Sequence, residues 1–420
     1  MAHVITAVNA WEALDSRGNP TVAASIEVDS RSRGLALAPA GASAGGHEAA
    51  FLRDGSAHYG GLSVREVIAT SLPLARQALL GCDADDPSGV DKALRTVDPT
   101  HTWSLLGGNV TTALTVAAWL AVAEAQTRAP WRVMADWTGS TPVLPIPMVN
   151  IVSGGAHAAQ AVDIQDVLVI PTSSHTVEEA IETAWRVRWG TQKVMTDLGY
   201  ATALIADEGG LAAGFPSSEE AIHAVVEGIR HAGFVPGEGA SLALDVAANE
   251  FHVSGPDYLF EGASVNNREL AKIIEGWTRK WPISSVEDPL AEDDDWSCLS
   301  SLLNTTHIVG DDRYATSLTR LAGGIDAHEA DSVLIKPNQT GSLWGAMEAI
   351  RIAQAANWGT IVSARSGDTE EQWLVDLAVG LGAGQIKVGS TMRSERTAKW
   401  NRMLELSATE NLRYAANTER

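Results

Sequence analysis

The chain has 420 residues, 45% of them hydrophobic and 20% charged, with Lys+Arg 30 against Asp+Glu 52 and a formal net charge of -22. That much apolar content excludes a disordered chain. The acidity excludes a broad basic surface for nucleic acid or an anionic membrane, so any phosphorylated ligand has to be held locally, by a metal or a few placed cations.

In chain order, Val4–Val8, the alternating stretch Val22–Val28 and Gly34–Ala38 read as a β-meander. Helical periodicity follows at Val64–Leu80, Ser88–Val97, Val110–Gln126 and Trp131–Trp137, which makes an α+β unit. Val110–Ala125 is the most apolar stretch, but three threonines and Glu124 interrupt it, so it reads as a buried helix and not a membrane span. Pro142, Pro145 and Pro147 mark a linker. We therefore expect an N-terminal capping domain over 1–140 and a second domain over 141–420. There, eight short apolar runs (Met148–Val152, Val167–Ile170, Leu242–Leu244, Ile283–Val286, His307–Val309, Ser332–Ile335, Thr360–Val362 and Gln385–Val388) are mostly separated by helical stretches. That is the arithmetic of an α/β barrel, and no G-x-G-x-x-G opens a helix after the first strand to favour an open doubly wound sheet. Cys82 and Cys298 are the only cysteines, which fits a reducing, cytoplasmic setting.

Charged residues end those runs. Asp245, Glu287, Asp311, Lys336, Arg365 with Ser366, and Lys387 recur at intervals of about one strand–helix unit, the first gap being longer. On a barrel they converge on one mouth. Three hard oxygen donors without sulfur beside them favour Mg²⁺ over zinc. A lysine near bound cations loses proton affinity and can serve as a base, which suits proton abstraction next to a substrate carboxylate. One such Asp alone is more often a turn or helix-cap residue. Six in register argue for a functional mouth with the reaction unspecified.

Motifs along the chain extend the reading. Asp15-Ser-Arg-Gly-Asn-Pro-Thr-Val22, Pro39-Ala-Gly-Ala-Ser-Ala-Gly-Gly-His-Glu-Ala49, Pro147 to His157, Asp207-Glu-Gly-Gly210, Ser285-Val-Glu-Asp-Pro-Leu290, Val309-Gly-Asp-Asp312, Leu334-Ile-Lys-Pro-Asn-Gln339 and Arg393 to Lys399 occur in order. Together they resemble the enolase (phosphopyruvate hydratase) family over nearly the whole chain. The resemblance implies an enolase-type (β/α)8 barrel, modified, behind an α+β cap. It implies two Mg²⁺ per site, one on Asp245, Glu287 and Asp311 and a second closed over by Ser43. Lys336 would be the base, Glu208 the proton donor to the leaving hydroxyl with Asp166 assisting, and Lys387 the partner of the substrate carboxylate. Arg365 and Ser366 would hold the phosphoryl group, and His157 and Gln165 would line the pocket. The partner implied is a small phosphorylated or phosphonylated three-carbon acid, and the assembly a homodimer in which Arg17 and Glu395 pair across the interface.

The chain departs from the family pattern in one region. Ser363-Ala-Arg-Ser366 places Ala364 where the family has His, and Asp166 stands for a Glu. Ala40, Ala44 and Ser153 are further departures. The metal triad, both lysines and Glu208 are kept. These changes suggest a paralogue like those of phosphonate and phosphinate antibiotic pathways, with an ordinary glycolytic enzyme as the alternative. A non-catalytic binding role is a third reading, weakened by the retained lysines. The run Glu292-Asp-Asp-Asp295 reads as a solvated loop.

Overall fold

The structure is a computed structural model that describes residues 2–42 and 45–417. Strands β1 (Ile5–Leu14), β2 (Pro20–Val28) and β3 (Ser32–Leu37) form an antiparallel meander in that order. The first turn is built by Asp15, whose Oδ1 accepts from the N–H groups of Arg17 and Asn19, both at 2.9 Å. Helices α1 (Arg65–Leu79), α2 (Pro87–Arg95), α3 (Gly108–Ala125) and α4 (Pro130–Thr138) follow. Helix α3 is apolar and buried nearly all round, because β2 and β3 cover one side and other helices the rest. Gly34 on β3 allows this packing, since a Cβ there would sit 2.0 Å from the Ala117 carbonyl of α3.

The second part is a closed barrel of eight strands: β4 (Ile146–Ser153), β5 (Asp166–Ile170), β6 (Ser241–Asp245), β7 (Ile283–Glu287), β8 (His307–Gly310), β9 (Ser332–Ile335), β10 (Gly359–Ser363) and β11 (Gln385–Gly389). Pairing of β11 with β4 closes it. All neighbours are parallel except β5, which is antiparallel to both β4 and β6. The β4–β5 connection is a short loop with one 3-10 turn, too short for a crossover helix, so the chain returns directly. Helices α5 (Val177–Asp197) and α6 (Ser218–His231) link β5 to β6, and α7 (Asn267–Lys280) leads to β7. Helices α8 (Leu318–Ala327), α9 (Leu343–Ala355), α10 (Trp373–Gly380) and α11 (Ser394–Thr409) complete the outer layer. Met148, Leu168, Ile170, Ala243, Val309, Leu334 and Ile361 fill the barrel interior.

All eight barrel strands fall where the apolar runs predict them. Helix α8 and a small antiparallel sheet over residues 252–266 are additions that periodicity does not signal. Helix α10 begins only at Trp373, because the preceding segment binds the cap: Glu371 Oε2 accepts the Leu37 N–H at 2.8 Å. Ala40 and Gly367 exchange backbone hydrogen bonds at 2.8 Å, so the segment after β3 runs across the barrel mouth. Among the described residues, no helix is long and apolar enough to cross a membrane.

Candidate active site at the barrel mouth

The strand ends deliver their charged groups to one place. Asp245 and Glu287 are the last residues of β6 and β7, Asp311 and Lys336 follow β8 and β9 directly, and Lys387 lies within β11. Lys387 Nζ donates to Asp245 Oδ2 at 2.7 Å and to Glu287 Oε2 and Oε1 at 2.8 and 2.9 Å. Lys336 Nζ donates to Asp311 Oδ2. Gln165 donates to Asp245 Oδ2 at 2.9 Å, and Gln339 to Asp311 Oδ1 at 3.0 Å. Burial alone would lower the proton affinity of both lysines. The carboxylates outweigh it: Asp311 holds Lys336 above the usual lysine range, and Asp245 with Glu287 holds Lys387 well above it. Burial and the neighbouring Asp245 push Glu287 up, since these two carboxylates share one ammonium.

The three carboxylates therefore meet at one mouth, with Lys387 between Asp245 and Glu287. The three together do not form one of the groups of ligand atoms that lie within 4.8 Å of one another. Among the described residues those groups are Asp288–Asp311–Asp312, His157–Asp166–Glu208 and His47–Glu292–Asp293. In the first, Asp288 is engaged by the backbone N–H groups of Asp311 and Asp312, at 2.9 and 2.7 Å. Burial and Asp311 push Asp312 up to about 7.

The antiparallel course of β5 explains the second cluster. Its first residue, Asp166, starts at the mouth and stands opposite Asp245 in register. Asp166 is fully buried, accepts from Asn150, and meets His157 Nδ1 at 3.1 Å. On the other ring edge, His157 Nε2 lies 4.0 Å from Glu208 Oε1. The histidine thus stands between the two carboxylates that the family pattern pairs directly. Burial would lower the His157 pKa, but Asp166 and Glu208 outweigh it and push it up to about 9. Asp166 itself is raised by burial.

At the far end, Arg365 and Ser366 follow β10. Arg365 forms a bidentate ion pair with Glu48, Nη1 to Oε2 at 2.8 Å and Nη2 to Oε1 at 3.1 Å. The Ser366 hydroxyl is buried with no hydrogen-bond partner among the described residues. The Ala364 methyl lines the same cavity, next to both. Of the predicted site residues, His157, Gln165, Glu208, Asp245, Asp311, Lys336, Ala364, Arg365, Ser366 and Lys387 line this cavity. Asp166 and Glu287 lie just behind it, hydrogen-bonded to His157 and Lys387. Ser43 lies outside the described residues.

Sequence reasoning assigns no role to Glu48, Gln339, Asp288 or Asp312, although all four stand inside the quoted motifs. Proximity in the chain to His47, Lys336, Glu287 and Asp311 is the signal that was present. One further expectation changes. The acidic run at 292–295 is not simply solvated: Glu292 accepts the Gly46 N–H at 3.1 Å, and Asp294 accepts from Tyr258 and Asn267. Arg17 pairs with Asp207 at 2.9 Å and Glu395 with Arg393 at 2.8 Å, both within the chain.

Comparison with protein families covers nearly the whole chain. The family model for the enolase N-terminal domain matches residues 5–134. The model for the enolase C-terminal TIM barrel domain matches residues 141–419.

Proposed function

The chain belongs to the enolase family, and from that premise we propose a Mg²⁺-dependent carbon–oxygen lyase or related enolpyruvyl-forming enzyme, specialised like carboxyphosphonoenolpyruvate synthase. Its substrate in this reading is 2-phosphoglycerate, phosphoenolpyruvate or a close analogue. The observation that carries it is a single cavity lined by Lys336 and Glu208 together with Arg365 and Ser366, whose hydroxyl has no partner among the described residues. A base, an acid and a seat for an oxyanion share one cavity. A domain boundary near residue 140, a cytoplasmic location and a homodimer belong to the same reading.

The donors fit Mg²⁺. Asp245, Glu287 and Asp311 are buried carboxylates at one mouth, with neither cysteine among the residues around it. Ser43 is the further ligand that the family resemblance implies. Bound there, Mg²⁺ would supply positive charge where the substrate carboxylate gains negative charge as the neighbouring proton leaves.

The rest is done by side chains. Lys336, once released from Asp311, loses the partner that raises its proton affinity, while Arg365 and Lys387 continue to lower it. Its Nζ then takes the proton beside the carboxylate. Lys387 neutralises that carboxylate. Glu208 passes a proton to the leaving oxygen, with the His157 imidazolium beside it and Asp166 behind. Arg365 and Ser366 hold the phosphorus oxyanion, and the small Ala364 leaves room for a bulkier substituent there.

Two assays on the Mg²⁺-loaded protein test the assignment. Phosphorus NMR of phosphonoformate, or its nucleotide-activated form, mixed with three-carbon phosphoesters should show a new phosphonate product. Ultraviolet absorbance with 2-phosphoglycerate should rise weakly, and the double variant Ala364→His, Asp166→Glu should shift preference toward it. Fast turnover of 2-phosphoglycerate with no phosphonate product would establish an ordinary phosphopyruvate hydratase instead.

A further inference from the structure

Arg365 is buried, its side chain 5% exposed, and so is its partner Glu48, at 7%. The pair is end-on and bidentate, the geometry with which a guanidinium binds a carboxylate or a phosphorus oxyanion. Glu48 Oε1 also accepts from the Gly45 N–H at 3.2 Å and from Gln339 Nε2 at 3.3 Å. The cavity beside them measures about 30 Å³, room for little more than a water or two. Glu48 itself sits in a half-exposed segment two residues from the exposed Gly46.

We propose that Glu48 is a specificity-determining residue: its carboxylate fills the Arg365 seat, and only an anion that outcompetes a bidentate carboxylate displaces it. This rests on the reading of Arg365 as the holder of the phosphorus group. The selection follows from charge. A ligand carboxylate offers Arg365 the bond it already has, so the exchange gains nothing. A phosphoryl or phosphonyl group brings a charge near -1.5 to -2 and three acceptor oxygens, so the exchange runs forward. An oxyanion cannot share the seat, because Glu48 would then face it as a like charge in a buried site. Glu48 thus screens the site against plain carboxylic acids.

The test is calorimetric titration of the full-length, Mg²⁺-loaded protein with inorganic phosphate and with acetate. Glu48→Gln should bind phosphate about tenfold more tightly than wild type and should gain acetate affinity, so that the preference for phosphate narrows. Glu48→Asp, which keeps the charge but is too short for the full bidentate pair, should fall between the two. It carries the test if the Gln variant, with the Glu48 charge gone from beside the buried Arg365, fails to fold by circular dichroism. Phosphate binding that is unchanged or weaker in these variants would overturn the proposal and make Glu48 a support for Arg365. Arg365→Gln separates the two readings. If it leaves phosphate binding intact, the assignment of Arg365 fails. If it abolishes binding while the Glu48 variants gain nothing, only the screening role fails.

Discussion

The His157–Asp166 pair offers the sharpest check on the electrostatics of this site. In Asp166→Asn the amide oxygen can still accept from Asn150, so the local shape is kept. The amide nitrogen then faces His157 Nδ1, which has to be unprotonated to accept from it. Raising the imidazole from 6.5 to about 9 corresponds to about 3 kcal/mol of preference for the charged form. Burial acts in the opposite direction, and Glu208 at 4.0 Å is too distant to replace Asp166. The His157 pKa in the variant should therefore fall below about 7. Nitrogen-15 NMR titration of histidine-labelled protein measures it directly, with His157→Gln assigning the resonance among the 11 histidines. Stability should follow. The folded-state value of His157 is raised, so its contribution is complete below 6.5 and is lost as pH rises through about 9. Urea melts should show wild type ahead of the variant at pH 6, with the gap closing by pH 9.5. Burial of Asp166 offsets part of the gain, so the gap should be roughly 1–3 kcal/mol. A variant in which His157 still titrates above pH 8 would refute the argument.

Mg²⁺ at one hundred times its dissociation constant should stabilise the folded chain by about 2.7 kcal/mol. Thermal melts with and without chelator should show this in wild type and not in Asp311→Asn. Glu371, which ties α10 to β3, is pushed up to about 7, because burial outweighs the Leu37 N–H and Trp373 indole that donate to it. Its neutral form is favoured on folding, so its contribution is complete below about 4.5 and is lost as pH rises through 7. Wild type should therefore lose roughly 2 kcal/mol between pH 5 and pH 8 relative to Glu371→Gln, and parallel melting profiles would contradict this.

The barrel was legible because its strands are short apolar runs and most are followed closely by a charge that has no place in a core. The same rule located Asp245, Glu287, Asp311, Lys336 and Lys387. It reached Asp166 only through the family resemblance, since Asp166 begins a strand. The reversal of β5 depends on the length and turn of the β4–β5 connection, a signal much weaker than hydrophobic periodicity. Glu48 was illegible for a different reason. Its contact with Arg365 joins positions 317 residues apart and depends on how the cap sits on the barrel, which no local pattern encodes.

The two departures from the family pattern take on a shape once the structure is known. The shorter Asp166 does not simply weaken a carboxylate pair; His157 stands between it and Glu208, 3.1 Å from one and 4.0 Å from the other. Ala364 shortens the opposite wall, beside Arg365 and Ser366. Both changes alter the walls of one cavity. The lysines and the three carboxylates at its base follow the family pattern in sequence and pair with one another. In the proposed reading the base and metal end is kept while the leaving-group and phosphorus ends change. Retained chemistry with a reshaped cavity is what a change of substrate requires, and the proposed charge screen of Glu48 would act at the same phosphorus end.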